Sequence, residues 1–189
     1  MEASAATRID YSQFHIVDGS TLPEPSSMPA NGLVATQPGT AVIFTSASSG
    51  WVHVTVDART AGPQDVDTAS WDEVVETDIE ATTGRVTVQA LMDAAPSLPI
   101  LTTSGPGTYR LRIHARGRDL HPDVVAFEPV EEYLIQAWPA SPSPDHVYKQ
   151  TDAWGASLRV SAEREKAAAH ESRPVKAARV PPPKQKRRP

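Results

Sequence analysis

Hydrophobic and polar positions alternate along much of this chain. In Trp71–Glu80 the odd positions are Trp71, Glu73, Val75, Thr77 and Ile79, and the even ones are Asp72, Val74, Glu76, Asp78 and Glu80. In Thr108–Arg118, Tyr109, Leu111, Ile113 and Ala115 alternate with Arg110, Arg112, His114, Arg116 and Arg118. A period of two sends successive side chains to opposite faces of a strand, so both segments predict strands with one buried and one wet face. Trp51–Ala58 alternates as cleanly, and Val42, Ile43 and Phe44 form the continuous apolar run of a strand covered on both sides. Ile9–Val17, Gly32–Gln37, Thr40–Thr45, Arg85–Leu91 and Glu131–Trp138 read as further strands, with Leu98–Leu101 as a short edge piece. Pro38-Gly39 and Ala81-Thr82-Thr83-Gly84 are turn sequences, and the second predicts a hairpin between Trp71–Glu80 and Arg85–Leu91. No convincing helical period precedes residue 160. About eight short strands separated by turns predict an all-β protein, specifically an antiparallel β-sandwich.

The prolines Pro139, Pro142 and Pro144 close the regular pattern and set the organisation. Residues 8–139 form the sandwich domain. Residues 140–160 form an extension able to lie back on it through Val147, Tyr148 and Trp154. Residues 161–189 form a flexible basic tail. Its first part has good helix formers but no apolar stripe, and Arg173–Pro189 has the Pro-rich, apolar-poor composition of a disordered segment.

Charge divides along the same line. Residues 161–189 hold nine Lys and Arg against Glu163, Glu165 and Glu171, a net +6, whereas residues 1–160 hold nine against twenty Asp and Glu, a net −11. An acidic body with a basic tail offers two surfaces suited to different partners. The start of the chain lacks a secretory pattern and no apolar run approaches a membrane span, so a cytoplasmic protein without membrane contact is expected. With no cysteine there is no disulfide, thiolate metal site or cysteine nucleophile.

No catalytic signature accompanies the strands. The six histidines show no ligand spacing, and no Gly-x-Ser-x-Gly elbow occurs, so neither metal nor cofactor is expected. What remains is charge on strand faces. Asp72, Glu76, Asp78 and Glu80 form an acidic strip with two readings. It pairs across strands with the basic stripe, or it stays open and steers a basic partner protein. Arg110, Arg112, His114, Arg116 and Arg118, together with Lys184, Lys186, Arg187 and Arg188 of the tail, are the alternative site, for nucleic acid or another anionic partner. An enzyme assembled from scattered residues such as His53, His114 and Asp57 is a further alternative.

Taken in order, the segments resemble the ComJ family of small bacterial competence proteins, inhibitors of a partner nuclease. The points of contact are Tyr11-Ser12-Gln13-Phe14, Gly32-Leu33-Val34-Ala35 and Gly39-Thr40-Ala41-Val42-Ile43-Phe44. They continue through Trp51–Asp57, the Thr83-Gly84-Arg85-Val86 turn, Gly107-Thr108-Tyr109-Arg110-Leu111 and Glu132-Tyr133-Leu134-Ile135-Gln136. The resemblance spans roughly residues 9–138 and implies a non-enzymatic protein-binding module that blocks a nuclease. It lends no inhibitory residue.

Overall fold

The computed structural model describes residues 2–19 and 27–171. The strand pattern is realised as β1 (Glu2–Asp10), β2 (Gln13–Asp18), β3 (Val34–Gln37), β4 (Thr40–Phe44), β5 (Ser49–Ala58), β6 (Glu73–Ala81), β7 (Val86–Gln89), β8 (Gly107–Arg116), β9 (Val125–Ala126), β10 (Glu132–Pro139) and β11 (His146–Gln150), followed by helix α1 (Ala153–Glu171). The all-β expectation holds, but the strands belong to one sheet, in the order β11-β6-β8-β10-β5-β1-β2-β4-β3. That sheet is mixed, because β10 and β5 run parallel. It curls into a half-barrel that brings β3 and β4 against β6, in place of the two antiparallel layers expected of a sandwich.

The inward positions fill the curl. Ile9, Phe14, Ile16, Val54, Ile113, Tyr133 and Ile135 join one continuous apolar core. Phe14 meets Tyr133 edge-on at 5.2 Å, the favoured arrangement of two aromatic quadrupoles. Val54 and Ile113 lie on the faces that alternation assigns to the core, as do Val52, Val56, Leu111 and Ala115.

Three local readings change. Ile9–Val17 is two strands, broken at Tyr11 and Ser12, both at φ 55°. Trp71–Glu80 and Arg85–Leu91 do not form a hairpin: β6 pairs with β8 and β11, and β7 pairs with β2. The buried Asp18 carboxylate at the end of β2 binds the Thr82 and Thr83 hydroxyls and the Thr83 and Arg85 amides. These contacts hold the connection against the end of β2. Third, a helix spans Ala153–Glu171, running from the 140–160 extension into the first part of the segment expected as a flexible tail. Its free amides are capped twice: Asp119 binds the Ala153 and Trp154 N–H groups from the loop after β8, and the adjoining Asp152 binds that of Gly155. Leu158 and Trp154 of this helix pack on Val42 and Phe44.

Candidate functional site

The two charged stripes lie side by side. β6 and β8 are antiparallel neighbours, with Glu76 opposite Arg112 and Asp78 opposite Arg110. Glu76 accepts from Arg110 Nε at 3.1 Å and Arg112 Nε at 2.6 Å, and Asp78 accepts from Arg110 Nη1 at 2.9 Å. The loop 59–72 and the segment 140–145 lie over this face. Arg110 donates to the Ser143 and Pro144 carbonyls and Arg112 to that of Asp65, while the Arg112 guanidinium sits against both the Trp138 and Tyr148 rings. Buried charges persist only when paired and hydrogen-bonded, and here they are both.

Arg110, Arg112, His114 and Arg118, expected on a wet basic face, are therefore buried. His114 accompanies Trp71 at 5.4 Å, and burial first, with the Arg112 charge adding to it, pushes its pKa down to about 4. Arg116, partly exposed, binds Glu132 at 2.7 Å and stacks on Trp71. Lys184, Lys186, Arg187 and Arg188 lie outside the described residues. The trio His53, His114 and Asp57 is not gathered. His114 and Asp57 stand on strands separated by β10, roughly 9–10 Å apart by sheet spacing, and Asp57 is bound by Arg59 and Gln136. Among the described residues no group of three His, Cys, Asp or Glu could hold a metal ion.

The acidic strip is divided by the same packing. Asp72 binds the Gly117 amide beneath the loop, and Glu76 is enclosed between its two arginines. Asp78, partly buried and bound by Arg110 and the Ser143 amide, and exposed Glu80 line a groove of about 570 Å³ with Thr36, Gln37, Pro38, Thr108 and Pro142. This groove lies at the end of the sheet where β8 begins.

A second charged cluster was invisible to pattern reading. Arg118, fully buried, binds both oxygens of Asp152 and the Gly32 and Phe44 carbonyls. Glu73, also fully buried, receives the Asp152 amide and Arg159. Burial and then the neighbouring Asp152 charge raise the Glu73 pKa to about 7. The cluster ties the loop after β8, the start of β6 and the start of α1 into one unit.

A single curled, mixed β-sheet with its core in the curl and a helix laid on its edge strands defines the structural class. That fold is shared with ComJ of Bacillus subtilis, the inhibitor of the DNA-degrading activity of NucA: the TM-score is 0.50 at 13% identity, over 73% of this chain and 96% of ComJ. The protein of crocagin biosynthetic gene J aligns with a TM-score of 0.49 at 14% identity, over 75% of this chain and 98% of that one. No protein-family model and no curated protein sequence matches the chain. No helix among the described residues is long and apolar enough to cross a membrane.

Proposed function

We propose that this chain is a non-catalytic protein-binding module that inhibits a nuclease by occupying its basic, nucleic-acid-binding cleft. The observation that carries the reading is the fold held in common with ComJ, an inhibitor of DNA degradation, across nearly all of ComJ's length. The contact is centred on Glu80, the exposed carboxylate of the acidic strand, beside the groove it lines with Asp78. Complementary charge at such a strip accelerates encounter and excludes partners of the wrong sign.

The test uses the full chain to retain its partner from native lysate, followed by DNA-degradation assays with the purified pair. Glu80→Lys is the variant of choice because the side chain is exposed, whereas Glu76→Lys would bury a third cation against Arg110 and Arg112. The expected result is a nuclease silenced by the wild-type chain, with affinity reduced about tenfold by Glu80→Lys and a weaker salt dependence. A retained partner without nuclease activity, or inhibition indifferent to Glu80→Lys, overturns the reading.

A further inference from the structure

The opposite end of the sheet has the reverse character. Leu120, Val124, Val125 and Phe127, in β9 and the stretches on either side of it, are exposed, Phe127 at 86% and Leu120 at 64%. Tyr11, 76% exposed, stands at the β1–β2 turn of the same end. Backbone hydrogen bonds hold these parts together: Ser12 N to Ser48 O, Ser48 N to Val124 O, and Asp123 N to Ser46 O, with β9 paired on Ser49 and Gly50. Loops rarely present so many large apolar side chains to water without a partner to cover them.

The support beneath this end is rigid. Glu131, buried, accepts from the Ser46 and Ala47 amides, the Ser46 hydroxyl and the Tyr133 hydroxyl, which fixes the 45–48 turn on which both loops rest. Tyr11, Ser12 and Asp123 are the non-glycine residues at positive φ among those described, and all three sit here. Such conformations are unfavourable for side-chain-bearing residues and persist where surrounding structure enforces them, often at binding sites. Gly50, at φ +113°, passes directly against the Ala126 backbone where a Cβ would collide, so β9 can lie on β5 only at a glycine. Phe127 and Tyr11 are thus exposed aromatic side chains on a preorganised base, the kind of residue that dominates binding energy at protein interfaces.

Charge selects the occupant. The stretch 119–130 carries Asp119, Asp123 and Glu128 with no Lys or Arg, and the nearby Arg8 is bridged to Asp10 at 3.8 Å. The Asp119 carboxylate caps α1, while Asp123 and Glu128 are exposed at the edge of the apolar cluster. A second copy of this chain would bring the same acidic rim against itself, which like-charge repulsion opposes. We infer that this end is a docking surface for a partner protein offering an apolar cleft edged by Lys or Arg, into which Phe127 and Tyr11 insert. It is separate from the acidic groove, which lies at the other end of the strands.

The experiment replaces Phe127 in the full chain with the photocrosslinker p-benzoylphenylalanine, irradiates native lysate, and identifies and purifies the adduct protein. Its affinity is then measured for wild type, Phe127→Ala, Tyr11→Ala and Glu80→Lys. The expected result is one saturable adduct whose affinity falls at least tenfold with Phe127→Ala or Tyr11→Ala and less than twofold with Glu80→Lys. Unchanged thermal unfolding of Phe127→Ala keeps that loss from being one of folding. No adduct, an adduct with this chain itself, or an affinity indifferent to both aromatic changes overturns the inference. Loss through Glu80→Lys alone bears on the acidic groove and leaves this end without a role.

Discussion

The strand Gly107–Arg116 and the loop that follows it invert the usual relation between polarity and burial. Arg110, Arg112, His114 and, just past the strand, Arg118 are buried, whereas Leu120, Val124, Val125 and Phe127 stand in solvent within a few residues. The difference teaches that side-chain chemistry alone does not decide exposure. Each buried guanidinium has a carboxylate and backbone carbonyls within reach, so its desolvation is offset. The exposed apolar groups are held out by a backbone fixed on Ser46, Ser48 and Gly50, and no element among the described residues covers them.

The comparison breaks most readily at Arg118. Arg118→Met leaves Asp152 and Glu73 buried without their principal cation, and urea unfolding should show a loss of about 3–5 kcal/mol. The double change Arg118→Met with Asp152→Leu should recover part of it. Stability equal to wild type in the single variant would mean that pairing is not what keeps charge inside. Glu76→Gln is the next largest, about 1.5–3 kcal/mol, because an amide can present only one acceptor oxygen and its NH2 then faces an arginine donor.

The pH dependence sharpens the contrast, since two buried groups act with opposite sign. Glu73 holds its proton to about pH 7 in the folded state against an ordinary value of 4.5, so its contribution is present at low pH and is lost as pH rises through 7. It faces Asp152, Arg118 and Arg159. His114, lowered from 6.5 to about 4 and facing Arg112, Asp67, Glu76 and the Leu134 carbonyl, favours the folded state above 6.5 and loses that contribution as pH falls toward 4. Buried His15, lowered by burial alone, acts in the same direction as His114. Between pH 4.5 and 6.5 the opposing slopes partly cancel in the wild type. Glu73→Gln should expose a clear rise of stability with pH over that window, measured by thermal unfolding in a series of buffers. The smallest effect belongs to the exposed side of the comparison: Phe127→Ser should shift stability by no more than about 0.5 kcal/mol.

Particular residues show why some of this was legible. Val52, Val54 and Val56, and Leu111, Ile113 and Ala115, lie in the core because alternation is a local property of an extended backbone. The acidic and basic stripes were equally legible as stripes. That they neutralise each other depends on β6 and β8 being neighbours, a pairing of segments well separated in the chain that alternation does not contain. Helix α1 carried a local signal in Asp152, the N-cap residue that accepts from the Gly155 amide, but lacked an apolar stripe, and its second cap, Asp119, is distant in the chain.

The sequence by itself determined an all-β body, the positions of most of its central strands, the core faces of Trp51–Ala58 and Thr108–Arg116, and the resemblance to ComJ, since all rest on short-range periodicity and segment order. Tertiary structure alone decided that the strands form one curled mixed sheet, that most of the arginines of the basic stripe are interior, and that Glu80 is the one exposed carboxylate among Asp72, Glu76, Asp78 and Glu80. It also decided that an apolar end is left open. Pairing, coverage and curvature are relations between residues far apart in the chain, and their energies depend on which groups meet, which no local pattern contains.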